Sequence, residues 1–164
     1  MNERVITPDD FRHVLAHFAS GVTIVTTYDS ERRPTGLTAS AFCSVSLDPP
    51  LVLICVDHKS QSFPHLRESG RFAINILHQE HEQLSRRFAS SRLDKFDGVP
   101  YTVGELGVPR IEGALACLEC RTVSAHVEGD HTIFVGRVES IGVGDGDPLL
   151  YYRGRYQRLR SEQP

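Results

Sequence analysis

The side chains able to do chemistry gather in four short stretches. Residues 38–41 are Thr38, Ala39, Ser40 and Ala41, all small, and they lie between apolar, β-rich runs. Small side chains and hydroxyls on a strand let a planar ligand approach the backbone closely. Residues 55–62 begin in an apolar run with Cys55 and Val56, then turn polar through Asp57, His58, Lys59, Ser60 and Ser62. A basic, hydroxyl-rich loop directly after a strand suits a phosphate. Arg92, Asp94, Lys95 and Phe96 form a third group, and His131 with Tyr152 and Arg153 form a fourth. All sit at expected strand ends or loops, where sites are usually built. Together they point to a planar ligand carrying a phosphate.

Other chemistries lack their residues. No GxGxxG is present; Gly142, Gly144 and Gly146 have the wrong spacing and run into Asp147 and Pro148 rather than a helix. No lysine-bearing P-loop is present either, so a dinucleotide fold or a nucleoside triphosphatase is not expected. Cys117 and Cys120, followed by His126 and His131, imitate a zinc string, but their spacing is too short for a finger. On a strand, Cys117 and Cys120 would face opposite sides, so no metal site is expected. His78 and His81 match no metalloprotease spacing, and no GxSxG elbow exists. Cys55 lies in an apolar run, where a thiolate nucleophile is disfavoured.

The bulk numbers set the frame. The chain has 164 residues, 40% of them hydrophobic, which suits one globular domain over residues 1–164. Net charge is −3 with no block of like charge, so neither nucleic acid nor a membrane surface is an expected partner. No stretch approaches the length of a membrane span, and the N-terminus has no apolar core of signal-peptide length. A cytoplasmic protein follows, with its four cysteines reduced.

The elements that must position the candidate residues are mostly strands. Thr7, Pro8, Asp9 and Asp10 open a helix whose Phe11, Val14, Leu15 and Phe18 recur at helical spacing, and it is expected to lie on the body of the domain. Residues 22–27 are a β-branched strand. Residues 37–47 read as one strand antiparallel to it. Residues 51–56 are continuously apolar and read as a strand buried on both faces. A short helix runs to Gly70 with Ser62 as N-cap, then a strand over 71–77 and a helix over 78–89. Residues 113–127 and 131–143 form a long hairpin around Gly129 and Asp130. Short strands close the chain at 149–152 and 156–159. The sum is mainly β with three short helices, which suits a closed or nearly closed antiparallel barrel.

Order and wording together are more specific. The runs FRHVLAHFASGVTIVTT from Phe11, TGLTASAFCSVSLDPPLVLICV from Thr35, GRFAINIL from Gly70, Asp94-Lys95-Phe96, Gly129-Asp130-His131 with Gly136, and PLLYYRGRY from Pro148 span nearly the whole chain. In them the sequence resembles the short-chain flavin reductase family, the reductase components of two-component flavin-dependent monooxygenases. The resemblance implies an FMN-binding split β-barrel of antiparallel Greek-key type, usually a homodimer. It implies FMN or FAD as flavin, NADH or NADPH as hydride donor, and a monooxygenase partner served by diffusing reduced flavin. It places Thr38, Ala39, Ser40 and Ala41 along the isoalloxazine and ribityl chain, Cys55, Val56 and Asp57 as a continuing wall, and Ser60 and Ser62 near the phosphate. Phe88, Arg92, Lys95 and Phe96 would close the far side. His131 would stand at the nicotinamide–flavin face as the catalytic residue, with Tyr152 and Arg153 nearby. Relatives often carry a second hydroxyl or an Asn within the 38–41 segment, where this chain has Ala41, which implies one polar contact fewer and so either a lower flavin affinity or a flavin used as substrate rather than retained. Two other split-barrel roles compete: a non-catalytic flavin or haem carrier, with His126 or His131 as axial ligand, and an oxidase of a vitamin phosphate.

Overall fold

The computed structural model describes residues 5–159; the ends of the expected 1–164 domain lie outside them. In chain order the elements are α1 (Pro8–Leu15), β1 (Ser20–Gly21), β2 (Thr23–Tyr28), β3 (Pro34–Ala39), β4 (Phe42–Leu47), β5 (Pro50–Asp57), α2 (Phe63–Ser69) and β6 (Arg71–Ile76). They continue with α3 (Glu82–Ala89), β7 (Tyr101–Val103), β8 (Pro109–Ile111), β9 (Ala116–Glu128), β10 (His131–Val143), β11 (Leu150–Tyr152) and β12 (Arg155–Gln157).

Seven strands form one antiparallel sheet in the order β3-β2-β6-β9-β10-β5-β4. The edge strands β3 and β4 are consecutive in the chain. Residues 40–41 therefore step from one edge to the other, and the Cys55 N–H reaches back to the Ala41 carbonyl at 3.1 Å. The sheet curls on itself without a continuous ladder between β3 and β4: a barrel left split. The mainly β, split-barrel expectation holds. The single strand expected over 37–47 does not, because its two halves pair with different partners, β3 with β2 and β4 with β5. An apolar pattern reports burial and passes unmarked through a change of partner.

Three further expectations need correction. No residue of α1 is buried, although its capping box forms as expected between Thr7 and Asp10. Phe11, Val14, Leu15 and Phe18 are each more than half exposed, so in the single chain this stripe faces solvent rather than the domain body. In β5 only Val52, Ile54 and Val56 are buried, and Leu51, Leu53 and Cys55 are half-buried, so one face meets the core rather than both. The third helix begins at Glu82, not His78. Residues 78–81 instead dock on the loop before β11, through a His78–Pro148 bridge and the Gln79 N–H on the Asp147 carbonyl.

The core is built in two main parts. One gathers Val25, Val52, Ile54, Val56, Phe72, Ile74 and Phe134 inside the barrel. The other gathers Val22, Ile24, Leu77, Phe88 and Leu149 beneath α3. Cys117 and Cys120 fall into different clusters, as opposite faces of β9 require. Burial pushes their thiols up to about 11 and about 12, and all four cysteines are free.

Polar groups inside this apolar body are cross-links. Asn75, fully buried on β6, donates to the Ile24 carbonyl (2.9 Å) and the Thr26 hydroxyl (3.1 Å) and accepts the Ile111 N–H (2.9 Å). It fastens β2, β6 and β8 at one point. Replacing Asn75 by Ala strands these groups without partners, so Asn75→Ala is expected to lower stability by about 3 kcal/mol. The denaturant midpoint measures it, with an unchanged m-value showing that the fold is kept.

Candidate functional site

The site starts from the absence of a side chain at Gly36, in the middle of β3. A Cβ there would lie 2.6 Å from the Val25 carbonyl oxygen and 3.1 Å from the Phe88 ring. Glycine lets α3 settle directly on β3, and the Thr38 hydroxyl fixes the contact by donating to the Ser85 carbonyl at 2.6 Å. The Gly36 carbonyl accepts the Ser62 hydroxyl at 2.9 Å and the Lys95 ammonium at 3.3 Å. Lys95 also donates to the Phe88 carbonyl at 3.0 Å.

Lys95 is the unusual group here. It is only 8% exposed, and among the described residues no carboxylate is paired with it. Burial pulls its ammonium below the ordinary value of 10.5. A buried cation with two carbonyls and no counter-charge is costly unless an anion comes to it.

Two adjoining grooves meet over this point. The first, about 330 Å³, is lined by Thr38, Asp57, Lys59, Ser60, Ser90 and Lys95, among others. The second, about 420 Å³, runs past Thr38, Ser40, Arg86, Ser90, Tyr151 and Tyr156. Thr38, Ala89 and Ser90 belong to both, so the two form one trough along β3 and α3. Its far wall is tied in place: the Ser85 and Tyr156 hydroxyls are 2.8 Å apart, and the Arg86 guanidinium lies 4.8 Å over the Tyr156 ring. The trough offers hydroxyls and a cation at one end and aromatic rings at the other. That suits a planar heterocycle with a phosphate, the ligand class expected from the sequence.

The candidate residues distribute unevenly. Thr38, Ser40, Asp57, Ser60, Phe88 and Lys95 line the trough. Ala39 and Val56 are buried in the core instead, on the inward face of their strands. Ala41 and Cys55 meet each other at the split between the sheet edges, and burial raises the Cys55 thiol. The Ser62 hydroxyl points inward to Gly36 and Thr35, so it neither caps α2 nor lines the trough. Phe96 packs edge-on against Phe88 beneath it. Arg92 is engaged by Asp94 at 2.7 Å and lines a separate cavity.

His131 stands opposite Asp57 across β10 and β5, so it adjoins the mouth of the trough without lining it. Its Nδ1 is 2.7 Å from Asp130, a contact that holds the Asp130 carboxyl below the usual range. Tyr152 and Arg153 lie on the β11–β12 turn. The Arg153 guanidinium is 2.7 Å from His17 Nε2, and the Arg153 backbone N–H donates to the Ala16 carbonyl, so the residue braces the end of α1. His126, the other proposed axial ligand, is exposed beside Ser124 and has no apolar pocket. Sequence reasoning missed Ser90, Ser91, Arg86, Tyr151 and Tyr156; a Ser-Ser pair just after a helix was the available signal for the first two.

A family profile described as the flavin reductase like domain matches residues 15–160. The chain belongs to the flavin reductase like family. An NADH-dependent flavin reductase from a Rhodococcus species is 45% identical over 156 residues, covering 94% of this chain and 88% of its own. The reductase subunit HsaB of a flavin-dependent monooxygenase from Mycobacterium tuberculosis is 40% identical over 161 residues, covering 96% and 86%. Among solved structures, the NADH:FAD oxidoreductase SgcE6 of Streptomyces globisporus, in complex with NAD and FAD fragments, superposes with a TM-score of 0.89. It is 38% identical and covers 99% of this chain and 100% of its own. The family supplies the heterocycle that the trough's geometry left unnamed. Among the described residues no group of His, Cys, Asp and Glu could hold a metal, and no helix is long and apolar enough to cross a membrane.

The Lys95 environment has a measurable consequence. Its pKa is lower folded than unfolded, so between those two values the unfolded chain holds more protons and stability rises with pH. Lys95→Met, which keeps the stem and removes the charge, is expected to stabilise the ligand-free protein at neutral pH. The gap between variant and wild type should shrink as pH climbs towards 10.5. Thermal melts of both proteins across that range test this, and a variant less stable at every pH would contradict it.

Proposed function

We propose that this protein is an NAD(P)H-dependent flavin reductase that supplies reduced flavin to a partner monooxygenase. The observation that carries the proposal is the trough joining Thr38 and Ser40 to the buried, counter-charge-free Lys95, in a chain of this family. FMN or FAD is taken as a substrate: the ring along Thr38 and Ser40, the phosphate among Ser60, Ser90, Ser91 and Lys95. The flavin supplies the redox chemistry, accepting the hydride equivalent of NADH or NADPH. The protein's part is placement, which needs no triad and no strong base. Tyr151, Tyr156 and Arg86 offer stacking surface and charge for the nicotinamide nucleotide in the second groove.

His131 is assigned to placing the nicotinamide. Its Nδ1 is held by Asp130, and its Nε2 has no partner among the described residues, which leaves one ring nitrogen for a ligand. Its strand register beside Asp57 brings it to the mouth of the trough.

A homodimer completes the reading. The apolar stripe along α1 and the turn after it is supported as an interface by its exposure, with Phe11 at 57% and Phe18 at 79%. Covering it would also seat the Ala16–Arg153 contact, and with it the β11–β12 turn that borders the second groove. Light scattering at micromolar concentration is expected to report twice the chain mass, and a monomer refutes it.

The central test mixes purified protein with NADH and either flavin and follows absorbance at the nicotinamide band. Oxidation that depends on added flavin is expected; none with either flavin refutes the proposal. His131→Ala is expected to cut turnover about tenfold or more while flavin affinity changes by less than about twofold, the pattern of a lost reacting-state contact. Unchanged turnover removes His131 from the reaction.

A further inference from the structure

Of the 18 lysines and arginines in the sequence only two are lysines, Lys59 and Lys95. Both line the first groove, the phosphate end of the trough. Everywhere else the chain uses arginine, whose guanidinium keeps its proton and is no nucleophile. The side-chain amines of this protein are therefore confined to one site, and the two differ in kind. Lys59 is exposed in the loop after β5, whereas Lys95 is buried.

The Lys95 surroundings fit a neutral amine as closely as an ammonium. An ammonium has three N–H groups to place, and an amine has two. Two carbonyls accept from Nζ, those of Gly36 at 3.3 Å and Phe88 at 3.0 Å, and among the described residues no third acceptor is paired with it. A neutral Nζ that donates both N–H groups keeps its lone pair for the remaining direction. The space it borders is the groove that Lys59, Ser60 and Ser90 also line. No carboxylate holds the third proton in place, and burial already favours its release. A desolvated lysine amine is the form that attacks a carbonyl carbon.

We infer that Lys95 is a modification site for acyl phosphates, and that its acylation switches flavin binding off. An acyl phosphate joins a phosphate, which this groove is equipped to hold, to an acyl carbon that an amine attacks. The Ser60 and Ser90 hydroxyls and the Lys59 side chain receive the phosphate and set the acyl carbon beside Nζ. The Nζ lone pair adds to that carbon and forms the C–N bond. The C–O bond to the phosphate breaks, and inorganic phosphate leaves with the electron pair. It takes up the proton that the nitrogen sheds. Nothing is oxidised or reduced, so no further reactant is needed.

The fold tolerates the product, and the ligand does not. The new amide keeps one N–H for the Phe88 carbonyl, and the Gly36 carbonyl keeps the Ser62 hydroxyl at 2.9 Å, so no buried acceptor is stranded. The positive charge at Lys95 is gone, and the acyl group occupies part of a groove of only about 330 Å³. A flavin phosphate then loses both its cation and its room. That consequence rests on the reductase reading of the trough; the acylation itself does not.

The test incubates the full-length, ligand-free protein with acetyl phosphate and follows acetylation of each lysine by peptide mass spectrometry. Lys95 is expected to react about tenfold faster than the exposed Lys59, the advantage of a reagent held beside its nucleophile. Inorganic phosphate, a competitor for the seat, is expected to slow Lys95 several-fold. Acetic anhydride, which carries no phosphate, is expected to acetylate Lys59 first. Lys95 reacting no faster than Lys59 with acetyl phosphate, or at a rate indifferent to inorganic phosphate, overturns the inference. So does an equal preference for Lys95 from the anhydride. Titration with FMN then reads the consequence: protein acetylated at Lys95 is expected to bind about tenfold more weakly or worse, and an unaltered affinity overturns the switch. Untreated protein that oxidises NADH with neither flavin overturns the reductase reading and leaves the acylation to stand on its own rates.

Discussion

The missing side chain at position 36 lets β3 lie this close to both β2 and α3. Any Cβ there meets the Val25 carbonyl and the Phe88 ring. Beneath this contact Phe88 sits in the core, and the Gly36 and Phe88 carbonyls converge on one ammonium. The groove lining and the seat of Lys95 are both consequences of this close approach. The protein tolerates a buried, uncompensated charge because backbone carbonyls stand in for a counter-ion, and they do so incompletely. That residual cost is what makes the position receptive to an anion.

The scaffold that holds this arrangement is stiffened from within by polar side chains. Asn75 ties β2, β6 and β8. Glu119, 1% exposed on β9, accepts the N–H groups of Glu105 and Leu106 and faces Arg110 at 3.5 Å, so it pins the β7–β8 turn to the barrel. These groups are fully enclosed, and they specify which strands lie side by side. The residues bordering the trough are different in kind. Lys59, Gln61, Ser90, Ser91 and Tyr151 lie in loops or at short strands, where reshaping for a ligand costs little.

Much of the fold was legible in the chain. The β-branched run before Tyr28, the Gly129–Asp130 turn and the proline break at residues 48–50 each impose a local geometry that tertiary context did not override. Gly70 ends α2 with φ of 61°, a conformation glycine adopts without strain. Two of the failures share one reason. Residues 37–47 are continuous in composition but change partner at Ser40–Ala41, and α1 is patterned for burial against a surface that the single chain does not supply. Periodicity shows that a face is apolar; it does not show what the face meets.

The candidate site divides along the same line. Sequence alone determined which residue types were available: small residues at 38–41, hydroxyls and a lysine after β5, and the Arg92–Phe96 group, together with motifs that resemble one family. It also determined what was missing, since no glycine-rich phosphate loop or nucleophile elbow is spelled out. Only the tertiary structure decided which of these side chains share a space. Strand alternation turned Ala39 and Val56 inward while Thr38 and Asp57 stayed on the trough. The Gly36 carbonyl drew the Ser62 hydroxyl away from the ligand side and the Lys95 ammonium towards it. Each outcome depends on a backbone carbonyl or a strand face supplied by a distant segment. Local sequence records none of these, because residue 36 and residue 95 become neighbours only when the sheet curls and α3 comes down upon it.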